Sequence, residues 1–298
     1  MKIISGKIKR AQRIVIYGVE SVGKTTFASQ FPKPLFLDIE LGSAHLDIDR
    51  SEIKDWKELV AAITIAKTTD FQTIVIDSID WAERLGQEDL LASTKKTSIE
   101  DFGYGKGWIM VAERISRILM SLDELIDAGK NVVLIAHSRI ARFEAPDALA
   151  AYDRYELKLT KHSLPLVKEW ADELWFMRFK TKVSTSENGK GKGLGGKERI
   201  IQTTHSAAYD AKTRSGLPEE MPMLWESVEH LFTEKKLAEI PEWQGVLMDN
   251  ESLVNAFLLA KGEIQEHQTW RDCKKDYLLR ISAKADKFKE AANLWAGR

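Results

Sequence analysis

Residues 18–26 carry a spacing of glycine, lysine and threonine that suits the binding of phosphate groups. The run fits the pattern G-x-x-x-x-G-K-[ST], whose glycines let the backbone curl so that successive N–H groups point at phosphate oxygens. Lys24 is placed to reach the β- and γ-phosphates of a nucleotide, and the hydroxyl of Thr25 is placed to bind Mg²⁺. The candidate nucleotide-binding residues are Gly18, Val19, Glu20, Ser21, Val22, Gly23, Lys24, Thr25 and Thr26.

Three polar residues that follow later apolar runs can complete a hydrolytic site. Asp77 ends one run, where its carboxylate can hold a Mg²⁺-bound water opposite Thr25. Glu40 follows another run, where it can orient and deprotonate the attacking water, with Asp38 as a competing candidate. His137 follows a third run and is either a sensor of the γ-phosphate or an ordinary hydrogen-bonded structural residue. These residues predict a site that binds ATP and Mg²⁺ and hydrolyses the ATP.

The apolar runs and the helical patterns between them predict how these residues are positioned. Up to residue 136 the predicted strands are 13–17, 34–38, 73–77 and 131–136, and the predicted helices are 56–67, 81–93 and 109–128. Such alternation is typical of a parallel sheet with helices on both faces, whose functional groups gather at the carboxyl ends of the strands. Further strands at 155–160, 174–183 and 199–204 are joined by loops, of which 184–197 is rich in Gly, Ser and Lys. The expected fold is therefore α/β, a mostly parallel central sheet flanked by helices with antiparallel strands added.

Length and composition narrow the class of protein. We expect an ATPase core at residues 1–226 and a small helical C-terminal region at residues 227–298. The 44 Lys and Arg against 45 Asp and Glu leave a net charge of −1, so any site for a polyanion must be local. Cys273, as a single cysteine, excludes an internal disulfide and fits a reducing cytoplasm. Without an apolar run of ~20 residues, we expect no membrane association.

The motifs resemble those of the RecA-like ATPases over about residues 13–225. The phosphate-binding run resembles that of the bacterial recombinase, and Leu35 to Glu40 matches the segment that carries the family's catalytic glutamate. Asp77 and Ser78 match the family's Asp-Ser after the third strand, and His137 stands where the family's sensor is usually Gln. The resemblance implies a RecA-like P-loop NTPase core with these residues in the corresponding roles.

A closer resemblance is to a phage-encoded group of RecA-like ATPases that act in recombination by single-strand annealing. It is carried by Asp101-Phe-Gly-Tyr-Gly-Lys-Gly107, Ala136-His-Ser138, Tyr152-Asp-Arg-Tyr155 and Glu169-Trp-Ala-Asp172. This resemblance implies that single-stranded DNA is a partner. It also suggests single-strand binding protein or other recombination proteins as further partners.

Lys212 and Arg214 are similar to an element of RecA-like hexameric helicases that reaches into the neighbouring subunit's nucleotide. Two cations beside a γ-phosphate would stabilise its developing charge, as an arginine finger does. Such an element acting between subunits implies a homo-oligomer. The alternative is that both residues are solvated charges in a loop.

Three segments are candidates for contact with nucleic acid. The family resemblance implies DNA-facing loops at about 93–107 and 139–156. The first of them interleaves lysines with aromatic residues, which suits a single strand because phosphates pair with the cations and bases stack on the rings. Residues 178–199 hold seven basic and two acidic residues, a local net charge of +5. Ordinary solvated charge explains any one of these segments slightly better than nucleic-acid binding does, and it is the three segments together with the family resemblance that favour single-stranded nucleic acid.

The leading hypothesis is an ATPase that binds single-stranded DNA and promotes annealing or strand exchange in phage recombination. A second hypothesis is a RecA-like hexameric DNA motor or helicase loader, which the Lys212 and Arg214 element favours. A third is a nucleotide-dependent switch that binds a protein partner and no nucleic acid. Duplex unwinding separates the first two hypotheses, and stimulation of ATP hydrolysis by single-stranded DNA separates both from the third.

Overall fold

A computed structural model describes residues 6, 10–144, 150–185 and 191–232, together with six single residues between 255 and 269. For residues 182–185 and 191–195 it describes only the backbone. The chain divides into two compact units, Met1–Phe232 and Thr233–Arg298. The predicted boundary between 226 and 227 stays a prediction, because almost all of the predicted helical region lies outside the described residues.

The first unit is built around a nine-stranded sheet. Its strands are β1 (Arg13–Gly18), β2 (Pro34–Asp38), β3 (Asp49–Glu52), β4 (Thr73–Asp77), β5 (Asn131–Phe143), β6 (Tyr152–Leu157), β7 (Glu173–Thr185), β8 (Gly191–Gln202) and β9 (Glu220–Pro222). The order is β3-β2-β4-β5-β1-β7-β8-β9, with β6 paired to β5 beside this path. Neighbours from β3 to β7 pair in parallel, whereas β8 and β9 are antiparallel. The predicted α/β class, a mostly parallel sheet with added antiparallel strands, is confirmed.

Helices flank the sheet, and some of their ends carry recognisable capping signals. They are α1 (Lys24–Ala28), α2 (Trp56–Ala66), α3 (Ile79–Thr94), α4 (Lys106–Asp127) and α5 (Ser163–Trp170). Helix α2 starts where the Asp55 carboxylate accepts a hydrogen bond from the Glu58 N–H at 2.9 Å, a standard N-cap. Helix α4 ends before Gly129, whose φ of 83° lies in the left-handed region that glycine tolerates. Within the described part of the chain, no helix is long and apolar enough to cross a membrane.

Strand β1 is buried on both of its faces, as a central parallel strand requires. Ile14 and Ile16 pack into the hydrophobic cluster on one side of the sheet, and Val15 and Tyr17 pack into the cluster on the other. All four side chains have no exposed surface. Burial of each contributes about 1.5–3 kcal/mol, so the alternation along β1 holds the two halves of the core together.

Several elements differ from the sequence-based expectations. The polar strand β3 and helix α5 are not predicted by any apolar pattern. Residues 139–143 and 191–197, predicted as loop, extend β5 and β8 as strands. The predicted loop at 93–107 contains a short 3₁₀ helix, Ile99–Phe102, before α4 begins. The extensions of β5 and β8 pair with the adjacent strands of their own hairpins, Phe143 with Tyr152 and Thr185 with Gly191, and a polar or glycine-rich segment gives no apolar pattern that would indicate such pairing.

Two hairpins project beyond the edge at which the parallel strands end, here called the carboxyl edge. Strand β5 pairs with β1 only up to His137, and its continuation to Phe143 pairs with β6. Strand β7 pairs with β1 only up to Met177, and its continuation to Thr185 pairs with β8. The β5–β6 and β7–β8 hairpins therefore rise from neighbouring positions on the same edge as Gly18, the last residue of β1.

The connection between α3 and α4, residues 95–105, lies beyond the same edge. The Asp123 carboxylate, near the end of α4, is 2.8 Å from the Arg13 guanidinium at the start of β1, which places this end of the helix at the opposite edge. At 22 residues α4 is ~33 Å long, whereas the five residues of β4 span only ~17 Å. The start of α4 and the connection before it must therefore extend past the carboxyl edge.

Glu173 at the start of β7 fixes the segment 213–215 against the sheet. Its fully buried carboxylate accepts hydrogen bonds from the backbone N–H groups of Arg214 (3.0 Å) and Ser215 (2.9 Å) and from the Thr213 hydroxyl (3.2 Å). Its other oxygen accepts a bond from the Trp175 indole N–H at 3.0 Å. Four donors therefore compensate the burial of this carboxylate.

We expect Glu173→Gln to lower the free energy of unfolding by about 1–3 kcal/mol, because one oxygen that accepts hydrogen bonds becomes an NH₂ group facing other donors. Urea denaturation followed by circular dichroism measures the change. Glu113→Gln, at an exposed position of α4, is the matched control and should change stability by no more than ~0.5 kcal/mol. Equal denaturation midpoints for the two variants would contradict the role given to Glu173.

Candidate phosphate-binding site

The phosphate loop, residues 18–26, joins the end of β1 to α1 and depends on two glycines. A Cβ atom on Gly18 would lie 2.0 Å from the backbone carbonyl oxygen of Met177, so no larger residue fits beside β7. Gly23 has a φ of 97°, in the left-handed region that favours glycine. The N–H of Val19 donates to the carbonyl of Met177 at 3.2 Å, which ties the loop to β7.

Lys24 is buried beneath this loop. Its ammonium group donates to the backbone carbonyls of Gly18 (3.1 Å) and Val19 (3.2 Å). Burial lowers the pKa of Lys24, while the nearby carboxylates of Asp77 and other acidic residues act in the opposite direction. A phosphate bound in the cavity would raise the pKa of Lys24, because its negative charge favours the charged ammonium.

Thr25 and Asp77 meet across the cavity and provide oxygen atoms suited to a magnesium ion. The Thr25 hydroxyl donates to the Asp77 carboxylate at 2.8 Å. Burial raises the pKa of Asp77 to about 6, and this outweighs the hydrogen bond from Thr25, which lowers the pKa. A hydroxyl and a carboxylate are ligands that Mg²⁺ accepts, and a cation beside Asp77 would favour its charged form.

Glu40, and not its competitor Asp38, faces the cavity. The Ser78 hydroxyl donates to the Glu40 carboxylate, and this holds one oxygen of the carboxylate in place. Asp38 is buried, and its carboxylate instead accepts bonds from the hydroxyl and the N–H of Ser43, the latter at 3.1 Å. Asp38 therefore closes the turn after β2, and Glu40 is left as the carboxylate available to a water molecule.

His137 is held by Asp80, a residue that the sequence analysis does not identify. The His137 ring Nδ1 lies 2.9 Å from the Asp80 carboxylate, which also accepts a bond from the His137 backbone N–H at 3.1 Å. The same ring nitrogen is 3.6 Å from the Glu40 carboxylate. The hydrogen bond to Asp80 raises the pKa of His137, and the bonds from His137 lower the pKa of Asp80 despite its burial. The signal in the sequence is the position of Asp80 in the first turn of α3, three residues after Asp77.

These groups surround a cavity of about 540 Å³, a volume typical of small-molecule sites. It is lined by Glu20, Ser21, Gly23, Lys24, Thr25, Thr26, Glu40, Gly42, His45, Asp77, Ile135, His137 and Arg199. Gly18, Val19 and Val22 are not among these, and Val22 packs into the hydrophobic core below the loop. His45 and Arg199 also line the cavity, although no sequence motif places them there.

Lys212 and Arg214 lie away from the cavity of their own chain. Lys212 forms a bridge with Leu174 near the start of β7, and its ammonium donates to the Lys168 carbonyl at 2.8 Å. The Arg214 guanidinium donates to the Asp172 carboxylate at 2.6 Å. Neither residue is among the described residues that line the cavity, so their contact with a nucleotide between subunits stays a prediction.

We expect Asp80→Asn to lower the pKa of His137, because the variant loses the carboxylate that favours the protonated ring. Nuclear magnetic resonance titration of the His137 ring measures the shift. Because the pKa of His137 is raised in the folded protein, protonation of the ring stabilises the fold. This stabilisation is fully present at pH values below the ordinary His pKa of 6.5 and is lost as the pH rises through the folded-state pKa. Asp80→Asn should therefore destabilise the protein more below pH 6.5 than above the His137 pKa.

Asp47→Asn is the control, since Asp47 is an exposed carboxylate outside the cavity. Its titration curve for His137 should match that of the wild type. An unchanged His137 pKa in Asp80→Asn would show that a group other than Asp80 stabilises the protonated ring.

Comparison with known proteins identifies the family. The profile of a family described as AAA domain matches residues 10–215, more than half of the 298 residues. The chain is also similar to the SPbeta prophage-derived uncharacterized protein YorG of Bacillus subtilis (strain 168), at 29% identity over 149 residues. That match covers 46% of this chain and 42% of the relative, so the chain spans less than half of the relative's length. With the phosphate loop, Asp77 and Glu40 all inside the matched range, the chain belongs to the AAA domain family and carries a P-loop ATPase domain.

Proposed function

We propose that this protein is a phage-type, RecA-like ATPase that binds single-stranded DNA and promotes annealing or strand exchange in recombination. One observation carries the proposal: the phosphate loop lies at the carboxyl edge of the sheet, together with three segments that project from that edge. These segments are the connection 95–105, the β5–β6 hairpin and the β7–β8 hairpin. A nucleotide bound at that edge can order or release the segments beside it. The prophage origin given in the name of the relative supports a phage setting.

The cavity contains the groups that ATP hydrolysis requires. Thr25 and Asp77 would hold Mg²⁺, and Lys24 lies where the phosphate loop places the β- and γ-phosphates. When bound, the ion neutralises charge that develops on the phosphate oxygens. Glu40, held by Ser78, orients the attacking water and accepts its proton.

Replacement of Lys24 tests this assignment. Lys24→Ala should reduce ATP hydrolysis by about 100-fold or more, because it removes the cation placed against the charge that develops on the phosphates. Release of inorganic phosphate from ATP, in the presence of Mg²⁺, measures the rate. Lys33→Ala, at an exposed position outside the cavity, is the control and should keep the wild-type rate. A wild-type rate in Lys24→Ala would refute the site.

The connection 95–105 presents an aromatic ring to solvent. Tyr104 has a relative exposure of 102%, and it lies between Gly103 and Gly105 in a run of three residues with positive φ. Lys96 stands 4.8 Å from the ring centroid of Phe102 in the same connection. An exposed ring in a connection that also carries lysine side chains suits single strands, since bases can stack on the ring and phosphates can pair with the cations.

The two hairpins add cations at the same edge. Arg142 is exposed on the β5–β6 hairpin, whereas Arg139 is 3.5 Å from Glu156. The β7–β8 hairpin contains the segment 178–199, which has a local net charge of +5. Because binding would depend on these local cations pairing with phosphates, in a chain whose net charge is −1, binding of DNA should weaken as salt is raised.

Tyr104→Ala should weaken binding of a single-stranded oligonucleotide by about tenfold, within the ~1–3 kcal/mol that stacking of one base on an aromatic ring contributes. Fluorescence anisotropy with a labelled oligonucleotide at low salt measures the affinity. Tyr104→Phe keeps the ring and should keep most of the affinity.

Ile65→Ala is the control for loss of an exposed apolar side chain, because Ile65 is 63% exposed on α2. Its affinity for the oligonucleotide should equal that of the wild type. If the wild-type protein does not bind the oligonucleotide, and ATP hydrolysis is not stimulated by it, the result would contradict the proposal and favour a nucleotide-dependent switch for a protein partner.

Assembly of several copies is part of the proposal. The Arg214 side chain is 57% exposed, and Glu173 fixes the backbone that carries it, so a neighbouring subunit's nucleotide could be reached from this position. The same element favours a ring-shaped DNA motor as the second candidate function. A strand-displacement assay separates the two, since a motor unwinds a duplex whereas an annealing protein joins complementary strands. Single-strand binding protein and other recombination proteins are the candidate partners.

A further inference from the structure

Arg199 is the one cavity-lining residue, among those that the structure describes, that comes from the antiparallel part of the sheet. We propose that Arg199 binds the phosphates of a nucleotide in its own subunit, at the end of the phosphate chain nearest the nucleoside. This inference rests on the proposed function, because it assigns a further residue to the same site.

The position of Arg199 is defined by its contact with the phosphate loop. Its Nη1 atom lies 2.9 Å from the point that a Cβ atom on Gly23 would occupy, so the guanidinium lies directly against the backbone at this glycine. The N–H groups of such a loop cradle the α- and β-phosphates, while the lysine reaches the β- and γ-phosphates. A guanidinium against Gly23 is therefore placed for the α- and β-phosphates, which ADP and ATP share.

The strand that carries Arg199 is anchored on both sides. Arg199 pairs with Phe179 of β7, and its guanidinium carbon is 5.8 Å from the centroid of the Phe179 ring. Its backbone carbonyl accepts a bond from the Met223 N–H at 3.0 Å. These contacts hold the backbone and leave the guanidinium, with its planar set of donors, facing the cavity.

The charge of Arg199 is not compensated by a carboxylate of the described residues. Lys180, which also lies on this antiparallel sheet, is 3.5 Å from Glu198 and 2.9 Å from Glu220. By contrast, no carboxylate oxygen of the described part of the chain lies within ion-pair distance of Arg199, although Glu20, Glu40 and Asp77 line the same cavity. A phosphate oxygen is the kind of partner that fits an arginine in this setting, because the fork of donors matches phosphate geometry.

The test is the affinity of the full chain for fluorescent analogues of ADP and ATP, measured with Mg²⁺ and without DNA. Arg199→Ala should weaken both nucleotides by about tenfold or more, because hydrogen bonds to a charged group are lost. Arg199→Lys keeps the charge without the fork and should give intermediate affinities. Arg117→Ala removes an exposed arginine of α4 and should match the wild type.

Two comparisons decide the outcome. If Arg199→Ala binds ADP with wild-type affinity, the inference is overturned, whether or not its affinity for ATP also changes. In that case Arg199 would not bind the phosphates that ADP and ATP share. Lys24→Ala separates this failure from failure of the proposed function. Loss of affinity in Lys24→Ala with wild-type affinity in Arg199→Ala rejects only the role of Arg199, whereas wild-type affinity in both variants rejects the site itself. An unchanged melting temperature of Arg199→Lys shows that its altered affinity does not come from unfolding.

Discussion

Strand β1 is hydrogen-bonded to β5 on one side and to β7 on the other, and this double pairing fixes where the chain must turn at Gly18. The register places Gly18 beside His137 of β5 and Met177 of β7. Strand β4 pairs on the far side of β5, so the same register brings Asp77 to the same edge. The site is thus a consequence of strand alignment, and its side chains meet because parallel strands end together.

The electrostatic balance of the cavity depends on burial as much as on charge. Burial lowers the pKa of Lys24 and raises the pKa of Asp77 to about 6, so each group is less readily charged than in water. A magnesium ion with a triphosphate would reverse both effects, because it places negative charge near Lys24 and positive charge near Asp77. Each part of such a ligand would therefore favour the charged form of one group in the cavity.

The sequence predicts the parts of the site that follow strand ends and misses those set by distant pairing. Thr25 is predictable from the phosphate-binding motif, and Asp77 and Glu40 are predictable because periodicity locates the strands and the parallel topology brings their ends together. Asp80 is missed because its role depends on contact with His137 in β5, which lies 57 residues away in the chain. Arg199 is missed because its place depends on the register between β7 and β8, which no local pattern encodes. Strand β3 is a polar edge strand, and α5 has a proline in its first turn, so neither has a strong pattern of its own.

The contact between Gly18 and Met177 shows that the motif alone does not form the site. Nine consecutive residues satisfy the motif, yet the loop that they form is tied to a strand that begins more than 150 residues later in the chain. A fragment ending before β7 would contain the entire motif while lacking the backbone that shapes it. The nucleotide pocket is in this sense a product of the completed fold, and partial chains that retain every signature residue need not retain the pocket.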